Sequence, residues 1–432
     1  MTRGPSASYT YRALLCSSAV SALGDGVRFA ALPLLAVLLL DNPFQVSVLT
    51  AVGTAPWLLV SLPAGVYVDR LDRRQVMMYA DLLRCVVLVS ALLLLITGGL
   101  TFIPLALVAF LLGVGEVLFD CAANALLPGL VPRDGLERAN GHLYATQTIG
   151  RDLIGQALGG VLFTTNRVLP FVIDATSFLS SALLLRRVNS QAATPRPARS
   201  HQMLPEIREC VEYLLRHRVL LKLTAAAALV NTVYMGQLAV LIVLVRYELE
   251  LPAALFGVLL TVGALGGMTA SITAPYVSER LGQNRILTGA LGLLILSGLG
   301  IAATRSVYLV AVTYCISVYL ITCWTVIAVS LRQGMVPDRI RGRSVSVDRL
   351  FTWGTNPFGV LLFGAVSELW GPRAAFVAGS VFATAALLIM VSAVRSIPGQ
   401  DRMDQQSPAS KTGKCTAPKP NSHVEVDEPS AR

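Results

Sequence analysis

The chain has 432 residues, 54% of them hydrophobic and 14% charged, with a mean hydropathy of +0.64 and a formal charge of +10. A soluble domain carries about a quarter charged residues, so this balance excludes a water-soluble enzyme, and high apolar content without a Gly or Pro period excludes fibrous and disordered classes. Seven cysteines form no CxxC and no Cys/His pattern, so no disulfide framework, metal site or cofactor is expected.

Apolar runs long enough to cross a bilayer core of about 30 Å recur near 13–39, 45–68, 76–98, 102–126, 140–164, 168–186, 220–245, 253–277, 286–304, 307–330, 345–367 and 374–394. Helix is the predicted form, because open strands leave backbone groups unsatisfied in lipid. The first run is too long for a signal peptide and lacks a small-residue cleavage site, so it is expected to remain as a span. The predicted fold is all-α and integral to the membrane. Twelve transmembrane helices form two pseudo-symmetric six-helix halves, residues 1–186 and 220–395.

Basic residues set the expected topology. With the N-terminus inside, the inward segments hold Arg3, Arg12, Arg70, Arg73, Arg74, Arg133, Arg138, Arg280, Arg285, Arg332, Arg339, Arg341 and Arg343, besides those of the central loop and the tail. Outward segments hold only Arg167, Arg246, Arg305 and Arg373. This positive-inside bias predicts a multi-pass protein of the plasma or inner membrane with both termini cytoplasmic. The net charge is thus a topology signal and does not point to nucleic acid.

Residues 187–219 read as a cytoplasmic linker. Within it Leu204, Ile207, Val211, Leu214 and Leu215 share one helical face, opposite Arg208, Glu212 and Arg216, which predicts an amphipathic helix on the membrane surface. Residues 396–432 are polar, rich in Pro, Ser and Lys, and are predicted to be a disordered tail.

The halves repeat a local pattern. Gly65-Val-Tyr-Val-Asp69-Arg70-Leu71-Asp72-Arg73-Arg74 follows the second span, and Pro275-Tyr-Val-Ser-Glu279-Arg280-Leu281 follows the eighth. Duplicated halves point to a secondary transporter with a central site. The first copy resembles the loop motif G-x-x-x-D-R-x-G-R-R of the major facilitator superfamily, with Asp72 where Gly is usual. Gly24-Asp25-Gly26, Leu127-Pro128-Gly-Leu-Val-Pro132, Arg138-Ala-Asn140 and Arg341-Gly342-Arg343 resemble features of its bacterial macrolide, siderophore and multidrug exporters. The resemblance implies a gating role for Gly65, Asp69, Arg70, Arg73, Arg74, Glu279 and Arg280; the structural alternative is that the arginines only anchor topology. Gly155-Gln156-Ala-Leu-Gly159-Gly160 resembles part of the family's antiporter motif. Gln156 replaces a proline there, and Gly141 and Gly150 sit one residue off the expected glycine ladder. Gly155, Gly159 and Gly160 are expected to serve close helix packing.

Ionisable groups within spans are expensive in hydrocarbon and face a cavity or a partner. Asp25 and Arg28 are three apart and can pair. Glu116 and Asp120 are four apart on one face, where both ionise only at high cost, making them candidate proton acceptors. Arg151 and Asp152 lie mid-span in the fifth helix, and Asp174 in the sixth. The proton-coupling candidates are therefore Glu116, Asp25, Asp120, Asp152, Arg28 and Arg151; a structural ion pair of Glu116 with Arg28 or Arg151 is the alternative. Asp81 and Arg84 fall near a cytoplasmic end, where snorkelling is cheap, and read as structural or gating residues. In the second half Asn231, Tyr234, Gln237, Tyr319 and Trp324 are candidates for contact with a lipophilic or amphipathic ligand.

No GxxxxGK loop, HExxH or GxSxG pattern appears, so neither an ATP-driven pump nor an enzyme is expected. One charge crossing 100 mV is worth about 2.3 kcal/mol, which at about 1.4 kcal/mol per tenfold supports roughly a 40-fold gradient of a neutral substrate. The expected function is proton-coupled efflux of a lipophilic drug or natural product by alternating access, as a monomer. The alternatives are a dedicated exporter of one siderophore or self-made antibiotic, a nutrient importer, and a non-transporting membrane sensor or scaffold.

Overall fold

A computed structural model describes residues 5–40, 42–131, 136–188, 211–336 and 350–395. Pro132, Arg133, the linker before residue 211, Arg341-Gly342-Arg343 and the tail 396–432 lie outside the described residues, as do the side chains of Asp69, Arg70, Pro128, Arg138 and Asn140. The described residues are helical almost throughout, with no strand among them. The elements are α1 (Pro5–Leu39), α2 (Pro43–Leu59), α3 (Ser61–Arg70), α4 (Arg73–Ile96), α5 (Phe102–Leu130), α6 (Leu136–Thr148), a π-helical turn (Ile149–Gly155), α7 (Gln156–Thr165) and α8 (Leu169–Leu185). After the linker come α9 (Arg218–Val243), extended by a π-helical turn (Leu244–Glu248), α10 (Ala253–Leu281), α11 (Gln283–Ala303), α12 (Val307–Met335), α13 (Asn356–Trp370) and α14 (Pro372–Val394).

Eight helical stretches among the described residues are long and apolar enough to cross a bilayer. The other predicted spans are shorter or interrupted. Residues 45–68 break at Val60 between α2 and α3, and 140–164 contain the π-turn between α6 and α7. Local chemistry sets several ends. Asn42 caps α2 by accepting the Phe44 N–H at 2.7 Å. Asp72 caps α4, its Oδ1 accepting the N–H of Arg74 at 2.9 Å and of Gln75 at 3.3 Å, so the residue that departs from the loop motif's usual Gly starts this helix. Between α13 and α14, Gly371 takes φ +85°, a turn that an L side chain resists.

Before the linker, α1 packs on α8, and α4 on both α5 and α8. After it, α10 packs on α12, and α14 on α9 and α11. Two seams join these sets. Along α2 and α13, Asn42 Nδ2 donates to Glu368 Oε1 at 3.1 Å, Ala51 packs with Val360 and Ala239, and the Trp57 and Trp353 rings meet edge to face at 4.7 Å. Along α7 and α10, Gly160 faces Gly257, and a methyl on Gly160 would stand 2.6 Å from the Gly257 Cα.

Of the predicted surface helix, residues 211–216 are described, whereas Leu204, Ile207 and Arg208 lie outside the described residues. Residues 211–216 are helical, and Val211 and Leu214 pack with Met335 and Val336 at the end of α12, while Tyr213 Oη donates to the Met335 carbonyl at 3.3 Å. Leu215 remains exposed. The apolar face thus has protein to cover part of it.

Small residues let α1 reach the π-turn at backbone contact. A methyl on Gly155 would lie 2.7 Å from the Gly26 Cα and from the carbonyl oxygens of Leu23 and Gly150. Main chain cannot yield as a flexible side chain does, so Gly155→Ala is expected to lose about 1–3 kcal/mol of stability. Thermal melting of the purified variant in detergent should drop accordingly, and an unchanged midpoint would show that the helices part freely.

Candidate functional site

Nine ionisable side chains lie at the meeting of α1, α4, α5, α8 and the π-turn. Gly24 and Gly26 flank Asp25 and leave room for neighbours on both sides. A methyl on Gly24 would come 2.5 Å from Asp174 Oδ1, and one on Gly26 would collide with the Arg151 carbonyl. Close approach of these backbones brings Asp25 within reach of arginines on two other elements, α4 and the π-turn.

Arg28 Nη2 donates to Asp25 Oδ1 at 2.6 Å, the i,i+3 pair its spacing predicts. The same guanidinium lies 3.7 Å from Glu116 Oε2 and, through Nε, 3.1 Å from Asp174 Oδ2. Arg151 Nη2 lies 2.7 Å from Glu116 Oε1 and 3.8 Å from Asp25 Oδ2. Arg84 Nη1 donates to both oxygens of Asp25, at 3.3 and 3.1 Å, and its Nη2 donates to Ser21 Oγ at 3.1 Å and pairs with Asp81. The direct pairs therefore join four carboxyls, Asp25, Asp81, Glu116 and Asp174, to three guanidiniums. An uncompensated buried charge costs several kcal/mol, so this cluster has room for one further positive charge.

Two more acids border it. Asp120, one turn from Glu116, accepts from Gln147 Nε2 at 3.2 Å. Asp152 accepts from Gln156 Nε2 at 3.3 Å, so the residue replacing the motif's proline holds an acid of the site.

Asp81 and Arg84 do not snorkel outward. Both are fully enclosed, at 0% exposure. Arg84 stands eleven residues beyond Arg73, the start of α4, or about 16 Å along the axis at 1.5 Å per residue. Their i,i+3 spacing repeats that of Asp25 and Arg28 and was the available signal.

The other predicted sites are dispersed. A methyl on Gly65 of α3 would meet no atom of the described residues within 4 Å, and Arg73 and Arg74 are half-buried in the first turn of α4. Glu279 and Arg280 are exposed in the last turn of α10. On α9, Asn231 donates to the carbonyl of Ala227 on its own helix at 3.1 Å, and Gln237 is buried beside Gly379. Tyr319 Oη is 3.0 Å from Thr273 Oγ1. Trp324 lies inside the core formed with Ala270, Leu287 and Ala386. Asn231, Tyr234 and Tyr319 are half-buried.

A bundle of membrane-crossing helices around a charged, buried centre is the build of a secondary transporter. A family model described as "Transmembrane secretion effector" matches residues 2–427, so the chain belongs to that family of the major facilitator superfamily. It is a transporter and not an enzyme. The multidrug efflux pump Tap of Mycolicibacterium fortuitum is 26% identical over 385 residues, 85% of this chain and 91% of that one. Among solved structures, a bacterial homologue of the lysosomal transporter Spinster, inward-facing and unoccupied, gives a TM-score of 0.74 at 16% identity, covering 94% of this chain and all of that one. A bacterial homologue of the iron transporter ferroportin gives 0.71 in its inward-facing state at 19% identity, covering 89% of this chain and 98% of that one. Its outward-facing state gives 0.60 at 20% identity, covering 89% and 99%.

Proposed function

We propose that the chain exports a lipophilic or amphipathic small molecule from the cytoplasm in exchange for protons, by alternating access. The observation that carries this reading is the cluster of four directly paired carboxyls and three arginines, which lacks one positive charge. A proton fills that place from one side of the membrane and leaves it for the other. Glu116 is the exchanging acid in this mechanism. Its side chain is 16% exposed against 6% for Asp25 and none for Asp81 and Asp174. Export, and a drug-like substrate, are supported by the efflux pump among the relatives.

In this reading the chain has twelve spans in two six-helix halves, with both termini cytoplasmic in the inner membrane. The broken pairs α2/α3 and α6/α7 and the short α8 and α13 count as spans. The end of the molecule carrying Asn42 and Glu368 then faces outward. The Asn42–Glu368 and Gly160–Gly257 contacts hold that end shut, which together with the higher score against the inward-facing neighbour supports an inward-facing state. Asn231, Tyr234 and Tyr319 offer the substrate aromatic and polar contact from the second half, with Gln237 and Trp324 behind them. Gly65, Asp69, Arg70, Arg73 and Arg74, with Glu279 and Arg280, act at the cytoplasmic gate.

The test is accumulation of ethidium in an efflux-deficient bacterial host that expresses the full chain. Lower accumulation, restored by a protonophore, is the expected result. Unchanged accumulation despite verified membrane expression would refute broad drug export and leave a single-substrate exporter as the reading to pursue.

A further inference from the structure

Among the described residues Arg84 is, after Trp324, the largest side chain that is fully enclosed. Every part of it has a built place. Gly115 on α5 makes room for its stem, since a methyl there would stand 2.5 Å from Arg84 Cγ. The guanidinium carbon lies 4.1 Å from the Phe178 ring centroid and 5.1 Å from that of Phe119, within range for cation–π attraction. Asp81 and Ser21 occupy Nη2, which leaves Nη1 to reach both oxygens of Asp25.

The other two arginines differ. Arg28 and Arg151 each contact Asp25 and Glu116 together, and the Arg151 side chain is 27% exposed where Arg84 is 1% exposed. Asp25 is therefore held from behind by a partner that cannot leave and from the front by two that are shared. An ion pair needed only for folding would be complete with Asp81, one helical turn away on the same helix; the fork onto Asp25 reaches a different helix.

We propose that Arg84 is a positioning residue for coupling. It fixes the Asp25 carboxylate in one orientation, so that Arg28 and Arg151 exchange between Asp25 and Glu116 as Glu116 gains and loses its proton. This rests on the proton-coupled reading above. An ammonium in place of the guanidinium keeps the charge but loses the planar fork and the ring stacking. Gly115→Ala displaces the stem of Arg84 and changes no charge at all.

The experiment uses the full chain in proteoliposomes with an internal pH dye and ethidium as the probe. It reads proton movement driven by ethidium against ethidium exchange with no pH gradient. In Arg84→Lys and in Gly115→Ala the ethidium-driven proton movement is expected to fall about tenfold further than the downhill exchange. If both quantities fall in parallel, Arg84 serves folding alone and the proposal is overturned. It is equally overturned if proton movement per ethidium stays at the wild-type value in the two variants. Should Arg84→Lys not fold, Gly115→Ala decides between the same outcomes. A wild-type protein that moves ethidium without protons ends the coupled reading itself, and the role of Arg84 with it.

Discussion

Glu116→Gln yields a folded, membrane-inserted carrier that no longer concentrates substrate. The glutamine carbonyl still accepts from Arg151, which lies 2.7 Å from Glu116 Oε1, but it takes up no proton at neutral pH. For one-to-one exchange of a proton with a monovalent cation such as ethidium, one imposed pH unit supports about a tenfold concentration ratio. In vesicles the wild type should approach that ratio and the variant should stay near unity, while downhill exchange of labelled substrate continues. A variant that still builds the wild-type ratio removes Glu116 from the proton path and leaves Asp120 and Asp152 to be tested in the same way.

Arg28→Ala has the opposite signature, because it takes away the fold before the function. This one guanidinium meets Asp25 on α1, Glu116 on α5 and Asp174 on α8. Removing one partner of a buried pair costs about 3–5 kcal/mol, a large share of the roughly 5–15 kcal/mol by which native proteins are stable. The variant should fail to yield a monodisperse protein in mild detergent, or melt far below the wild type. Arg28→Lys should recover part of the loss, since the charge returns without the fork that spans three acids. Wild-type melting of Arg28→Ala would mean that Arg84 and Arg151 suffice to neutralise the cluster.

The long helices were legible in the sequence because lipid imposes one requirement on every span, about 20 apolar residues with no backbone group unpaired. The Asp25–Arg28 pair was legible for a local reason, three residues being close to one helical turn. The enclosure of Arg84 was not, because a place near the end of a span that begins at residue 76 suggests a side chain free to snorkel. The helix in fact starts at Arg73, capped by Asp72, and Arg84 is sealed by Phe119, Phe178 and Gly115 from other helices. Contacts of that kind have no signature in a linear pattern. Nor did hydropathy reveal that α2 stops at Leu59 or that the linker helix has Met335 and Val336 to pack on.

One mismatch becomes intelligible in three dimensions. Gly141 and Gly150 sit one residue from the places implied by the family's motif, whereas Gly155, Gly159 and Gly160 match it. The π-turn Ile149–Gly155 lies where the two registers meet, and a π-turn is how a helix absorbs one surplus residue without breaking. Gly150 still packs against Ala19 and Ala22, and Gly155 against Gly26.

That surplus residue makes chain length a variable at the centre of the molecule. Each residue of a regular helix turns its successor by about 100°. A homologue lacking one position between Gly150 and Gly155 would therefore present a different side chain to Glu116, even with every other amino acid unchanged. Divergence among such carriers can then proceed by a single codon lost or gained in this turn, a kind of change that comparisons of aligned columns register only as a gap.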